Sequence, residues 1–371
     1  MRKRRILAIV AAALLALTSA RASEALTVAA KGAVLIDGES GRILFAQNAD
    51  EMLPEASCTK IMTALVALEN SALDEDVTAG KNAHGVEGTS LYLSEGETLS
   101  MEQMLYGLML RSGNDAAVAI AEHVAGSVED FAAMMNRRAD ELNADAHFVN
   151  PHGLDAEGHR ASALGLARIM RAAMQNADFR TITGTQRKVI PWVGNEYSRV
   201  LENKNRLLRD YEGATGGKTG FTSKAGRCLV FSAERDGLEL IGVVLNCYSW
   251  FDTATVLLDY GFEHFRMERA LSSGEVAGQA SVLNGDANQV DAVAAENLAA
   301  AVEIGSKPEV EIKIEDLEAP VKKGQVIGRA RLICNGQEVD ACDLIATREV
   351  PLWSFRAAMR SVLRSWSLPF A

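Results

Sequence analysis

Three short groups of residues have the types and spacing for nucleophilic catalysis. Ser57-Cys58-Thr59-Lys60 sets an alcohol and an amine three residues apart. On a helix that spacing puts both side chains on one face. A serine hydroxyl is a weak nucleophile until a neighbour takes its proton. Lysine can take it only where burial or a second cation lowers its pKa. Lys218, in Lys218-Thr219-Gly220, is the candidate second cation. Ser112-Gly113-Asn114 breaks a helical stretch, so its two polar side chains can point into a cleft. Gly220 lets a backbone approach closely.

Taken singly, each group has a plainer reading. Ser57 can be an N-cap, Lys60 a solvated helix lysine, Ser112-Gly113-Asn114 a helix C-cap and loop, and Lys218-Thr219-Gly220 a turn. Each motif occurs once in the chain, and their order behind an export-type leader favours chemistry over the plain readings taken together.

Periodicity predicts the elements that hold these groups. Residues 33–36 are apolar and β-prone, 37–41 supply turn residues, and 43–45 resume a strand. After Pro54, Ile61, Met62, Leu65 and Leu68 recur at helical spacing, with Ser57 in the first turn. Ser100-Met101-Glu102-Gln103 reads as a capping box for a helix that Ser112-Gly113-Asn114 interrupts. The helix resumes at Asp115, and others are expected over 127–142, 163–174 and 253–265. Strands at 227–233 and 238–246 meet at Arg235-Asp236-Gly237, a hairpin signal. Strands, then helices, then strands predict an α+β fold, an antiparallel sheet covered by helices.

The chain has 371 residues, which favours two domains. Beyond about residue 270 short strand patterns take over at 310–314, 326–333 and 338–345, with Asn335-Gly336 as a hairpin turn. A catalytic domain over 23–267 and a small all-β domain over 268–350 are therefore expected. Arg2, Lys3, Arg4 and Arg5 precede an apolar run from Ile6 to Leu17, then small residues. That is the layout of a signal peptide, with cleavage expected after Ala22. Residues 351–371 form the fourth segment. There Leu352, Phe355, Met359, Val362, Leu363 and Trp366 share one side of a helical wheel. Arg356, Arg360 and Arg364 stripe the adjacent side, the signature of a helix lying in an anionic membrane surface. Packing on the β domain is the alternative.

The chain carries 38 Lys and Arg against 49 Asp and Glu, a net charge of −11. The leader removes five basic residues and no acid, so what remains is more acidic still. Nucleic acid is thereby disfavoured as a partner. Five cysteines without a CxxC give neither a disulfide scaffold nor a zinc pattern. Cys228 with Cys247, and Cys334 with Cys342, lie on paired hairpin arms, and an exported compartment permits a disulfide in either pair. Cys58 reads as a small core residue. His147, His152 and His159 fall within thirteen residues, but neither a metal nor a cofactor is expected.

The three motifs together resemble the penicillin-recognising serine enzymes. Within them the chain is similar to the low-molecular-weight penicillin-binding proteins that act as D-alanyl-D-alanine carboxypeptidases. Leu105 to Ala117 around Ser112-Gly113-Asn114, His147-Phe148-Val149-Asn150-Pro151-His152-Gly153-Leu154, and Gly217-Lys218-Thr219-Gly220-Phe221-Thr222 extend the likeness. It covers about residues 28–267. The resemblance implies that Ser57 attacks the carbonyl between two terminal D-alanines, with Lys60 as general base. Ser112 relays a proton to the leaving amine, and Lys218 holds the network. Asn114 binds the substrate's amide, Thr219 and Lys218 take the terminal carboxylate, and the N–H groups of Ser57 and Phe221, beyond Gly220, form the oxyanion hole. The implied substrate is a peptidoglycan stem peptide ending in D-Ala-D-Ala, and β-lactams are implied covalent inhibitors.

One departure stands out. Relatives usually carry an acid where this chain has Gly165, so a support to the loop lining the cleft is expected to be missing. Two other functions are weighed. A β-lactamase of the class A type resembles its relatives in an E-x-x-L-N motif, and here Ala139 stands three residues before Leu142-Asn143 where the glutamate belongs. A catalytically silent cell-wall binding or scaffold protein conflicts with the intact Ser57, Lys60, Ser112, Asn114 and Lys218 set.

Overall fold

The computed structural model describes residues 26–355. The expected leader 1–22 and most of the expected tail, residues 356–371, lie outside the described residues.

The first domain is built on a five-stranded antiparallel sheet. Its strands are β1 (Gly32–Asp37), β2 (Ile43–Gln47), β3 (Ala214–Thr222), β4 (Gly226–Arg235) and β5 (Leu238–Leu245), in the order β2-β1-β5-β4-β3. Side chains alternate across a strand. On β1, Val34 and Ile36 therefore enter one core while Ala33 and Leu35 enter another on the opposite face. Both faces are covered, so β1 reads as an unbroken apolar run. Asp236 and Gly237 take φ of 50° and 77° and close the β4–β5 hairpin, as their types predict.

Helices α1 (Lys60–Asn70), α2 (Met101–Tyr106), α3 (Asn114–Ala125), α4 (Val128–Glu141) and α5 (Ala163–Met174) belong to the core that receives Val34 and Ile36. Helix α6 (Trp250–His264) covers the other face through Leu257 and Leu258. The Ser100–Gln103 capping box is formed.

The expected helix around Ser57 differs in detail. Ser57 sits in a separate 3-10 turn, Ala56–Thr59, and the α-helix begins only at Lys60. Ala56 has φ +51°, a left-handed conformation that no right-handed helix can contain. The break at Ser112 is also sharper than a simple interruption. Residues Gly107–Arg111 form a π-helical turn, Ser112 is left-handed at φ 68°, and α3 starts afresh at Asn114.

The second domain is all β. Strands β6 (Phe265–Leu271) and β9 (Leu298–Glu303) pair together, and β6 runs through the expected boundary at 267/268. Strands β7 (Val276–Leu283), β8 (Gln289–Ala294), β10 (Glu309–Ile314), β11 (Leu317–Glu318), β12 (Val326–Cys334) and β13 (Gln337–Ala346) form a sheet ordered β10-β12-β13-β8-β7-β11. This domain meets the first at the β1–β2 hairpin and at helix α6, where Phe265 and Ala301 join the core of Leu257 and Leu258. The Ala301 N–H donates to Asp37 at 2.8 Å, and Arg42 pairs with Glu303 at 2.8 Å. All five cysteines are buried free thiols. Among the described residues, no helix is long and apolar enough to cross a membrane.

Two features frame the cleft. Arg199 and Glu97 form a buried bidentate pair at 2.6 and 2.9 Å, and Arg199 also donates to the Leu91 carbonyl. This clamps the loop that precedes α2. Gly165, in the first turn of α5, packs on Asp145, where an added Cβ would lie 2.5 Å from the Asp145 carbonyl oxygen. The loop between Asp145 and Ser162 is instead closed by backbone bonds, Ser162 N–H to Asp145 C=O at 2.8 Å and the pairing of Ala146 with Ala161. Position 165 therefore has no room for a side chain, and backbone packing closes the loop there.

Replacing Arg199 by Met leaves Glu97 buried without its partner, and urea unfolding should show a loss of about 3–5 kcal/mol. Restoring an acid through Gly165→Asp should destabilise the fold by about 1–3 kcal/mol through overpacking, without raising catalytic rate. Calorimetry and a turnover assay on the same preparation check both halves.

Candidate active site

Ser57 is presented by the strained turn at Ala56, which three neighbours fix. The Thr59 hydroxyl oxygen lies 2.9 Å from the Ala56 carbonyl oxygen. An added Cβ on Gly153 would lie 2.0 Å from that same carbonyl oxygen, so the Asn150–Leu154 loop presses directly on the turn. Gly220 does so from the other side, where an added Cβ would meet the Glu55 carbonyl at 2.7 Å and the Ser57 nitrogen at 3.1 Å. Glycine is required at 220 by this close approach and at 153 also by its φ of +84°.

Lys60 points back along its helix onto Ser57, with Nζ 3.1 Å from Oγ. It also donates to Asn114 Oδ1 at 2.8 Å and to the His152 carbonyl at 2.5 Å. Its three hydrogen-bonding directions are then all occupied, and the side chain is fully buried; as a neutral amine it donates to Asn114 and His152 and turns its lone pair to the Ser57 hydroxyl. Burial lowers its pKa well below the ordinary 10.5, and the charges of Lys218 and Lys204 push the same way.

Strand β3 carries Lys218 into the cleft. Its Nζ donates to Ser112 Oγ at 3.0 Å and to the Thr219 carbonyl at 2.8 Å. Burial is the main cause of a pKa lowered to about 7. The left-handed turn at Ser112 aims that hydroxyl at Lys218, while α3 starts at Asn114 and aims its amide at Lys60. The Asn114 amide also donates to the Glu87 carbonyl at 2.6 Å, so each of its polar atoms keeps one hydrogen-bonding position for a ligand. Thr219 is nearly buried, and Phe221, opposite Arg227 in the ladder, exposes its ring at the rim.

The structure therefore brings two hydrogen-bonded groups into one cleft, Ser57–Lys60–Asn114 and Ser112–Lys218, with Thr219, Gly220 and Phe221 on the strand that carries Lys218. Four residues outside the motifs belong to this neighbourhood. Lys204 lies behind Thr89 at 3.5 Å, with a pKa lowered by burial and by Arg111. Asp115 accepts N–H bonds from Leu91 and Leu93 and the hydroxyl of Ser90, fixing the loop beside Asn114. Glu55 and His159 form a buried pair at 2.9 Å beneath the Ser57 turn. His147 and His152 serve the loop instead, through the Gly158 carbonyl and the Leu154 N–H. Among the described residues, no group of three or more His, Cys, Asp or Glu side chains converges as a metal site.

Comparison with known proteins agrees with this geometry. A family model described as D-alanyl-D-alanine carboxypeptidase matches residues 18–249, and one described as the C-terminal domain of penicillin-binding protein 5 matches 265–352. The chain is 30% identical to the D-alanyl-D-alanine carboxypeptidase DacF of Bacillus subtilis (strain 168), over 91% of this chain and 90% of that one. It is 35% identical to the D-alanyl-D-alanine carboxypeptidase of Streptomyces sp. (strain K15), over 69% of this chain and 94% of the relative. Penicillin-binding protein 5 from Haemophilus influenzae superposes with a TM-score of 0.78 at 30% identity, over 88% of this chain and 98% of that one. A serine array of this kind, on this fold and with relatives matched over nearly their whole length, places the chain in the D-alanyl-D-alanine carboxypeptidase family of penicillin-binding proteins.

Proposed function

We propose that this enzyme removes the terminal D-alanine from peptidoglycan stem peptides through an acyl-enzyme on Ser57. The observation that carries the reading is the fully buried Lys60 amine, 3.1 Å from Ser57 Oγ. With its pKa depressed, Lys60 takes the Ser57 proton as Oγ bonds to the carbonyl carbon of the penultimate D-alanine. The Ser57 and Phe221 N–H groups stabilise the resulting oxyanion, an effect of about 3 kcal/mol per donor in other hydrolases. The C–N bond then breaks. The leaving amine receives its proton through Ser112, which Lys218 holds at 3.0 Å. Water attacks the ester, and the carboxylic acid product leaves with Ser57 restored. Lys218 as ammonium, with Thr219, takes the substrate's terminal carboxylate, and Asn114 uses its remaining amide positions on the peptide. β-Lactams acylate Ser57 by the same first step.

The leader and the basic, apolar tail support export and attachment to the outer face of the bacterial membrane. The described end of the chain fits this reading, because Leu352, Trp353 and Phe355 are all exposed where the tail begins.

Incubation with a fluorescent penicillin and then with a D-Ala-D-Ala pentapeptide tests the activity. Wild type should retain label and release D-alanine, and Ser57→Ala should do neither. Rapid penicillin turnover without D-alanine release would support the β-lactamase reading instead, and absence of label would support a silent scaffold. The pH profile has a definite sign. Lys60 works only without its extra proton, and Lys218 binds carboxylate only with it. Thus kcat/KM should rise as Lys60 deprotonates and fall as pH passes about 7, where Lys218 loses its charge. An alkaline limb at the ordinary lysine value would contradict the assignment of Lys218. For the tail, deleting 351–371 should abolish sedimentation with anionic vesicles, and unchanged binding would sink the anchor.

A further inference from the structure

A buried acidic residue lies beneath the nucleophile, and none of the catalytic steps above uses it. Glu55 is fully buried two residues before Ser57. Its Oε1 meets the Thr59 hydroxyl at 2.9 Å and His159 Nε2 at 2.9 Å. Thr59 Oγ1 is also 2.9 Å from His159 Nε2, so the three groups form a closed triangle. The Val149 N–H donates to His159 Nδ1 at 3.0 Å, which puts the ring proton on Nε2, facing the triangle. Glu55 Oε2 has no hydrogen-bond partner.

The triangle brackets Ser57 from residue −2 and residue +2. Thr59 passes the constraint to the strained Ala56 carbonyl. The Glu55 backbone carbonyl accepts from Cys58 N–H at 3.2 Å and abuts Gly220. His159 passes it to the loop that supplies the His152 carbonyl for Lys60. One buried carboxylate is thus tied both to the backbone of the nucleophile and to the support of its base. A strained conformation persists only where its surroundings over-determine it.

We propose that Glu55, with His159 and Thr59, is a positioning residue that holds the Ser57 turn in its reactive geometry. The inference rests on the reading of Ser57 as nucleophile. The role is geometric, because Oε1 alone makes both contacts of the triangle and Oε2 makes none. Glutamine can therefore replace Glu55. It keeps an acceptor for Thr59 and His159, and substitution of the partnerless Oε2 breaks no bond.

The test separates pre-acylation binding of a reporter penicillin from the acylation rate constant in stopped flow, using full-length Glu55→Gln, Glu55→Leu, Thr59→Val and the Leu/Val double variant. Glu55→Gln should acylate within about threefold of wild type. Glu55→Leu should fall by about 10- to 100-fold in the acylation rate constant, with the pre-acylation dissociation constant unchanged, as a small misplacement of reacting groups predicts. Thr59→Val should also fall, and the double variant should be no slower than the worse single one, since both act through one triangle. If Glu55→Leu does not fold, Thr59→Val and Glu55→Gln still decide the matter. A Thr59→Val enzyme at wild-type rate, or a Glu55→Gln enzyme as slow as Thr59→Val, overturns the proposal. So does a loss of rate that merely follows the folded fraction on heating. Failure of the Ser57 reading looks different, because Ser57→Ala would then still be labelled.

Discussion

Lys60 and Lys218 are buried in the same cleft, and among the described residues neither forms an ion pair. Taking one ammonium out of water without a counter-charge costs several kcal/mol, and a second nearby cation adds to it. Proton loss relieves that cost, and proton loss is what turns a lysine into a base. The donors and acceptors around Lys60 fit this function. Ser57 Oγ, Asn114 Oδ1 and the His152 carbonyl orient the amine without neutralising its charge.

The rest of the fold keeps that cleft dry and its parts in register. Strand β3 at the edge of the sheet brings Lys218 beside the break at Ser112, and the backbone of Gly220 rests on the Ser57 turn. Arg199 and Asp115 hold the loop behind Asn114 from two directions. Several backbone positions are strained or crowded here, among them Ala56, Tyr92 and Ser112 at positive φ. Each sits where hydrogen bonds or a glycine contact fix it, the pattern expected where strain serves a site.

Much of this was legible in the sequence. Helix α5 and the two hairpins at Asp236-Gly237 and Asn335-Gly336 follow from local rules that tertiary context did not override. The candidate site was legible because each motif carries its spacing within a few residues. Other features depend on contacts between distant segments. Strands β7 and β9 are rich in alanine, which dilutes the β-branched signal, and their pairing defines them. Glu55 and His159 are 104 residues apart and become a pair only when the Asn150–Leu154 loop folds over the Ser57 turn. Lys204 sits in a polar loop without periodicity, and its place beside the cleft is shown only by its contact with Thr89. Nothing local in the sequence shows why position 165 must be glycine; only the contact with Asp145 explains why a side chain has no room.

The central claim is that Lys60 is an uncharged amine when Ser57 reacts. Its Nζ and Cε resonances, assigned by comparison with a Lys60→Met variant, can be followed by heteronuclear NMR across the pH range. The account predicts a midpoint far below the ordinary 10.5, with the amine already neutral at pH values where the enzyme works. A Lys60 ammonium that persists to the ordinary lysine value would contradict it and would require another group to take the proton from Ser57.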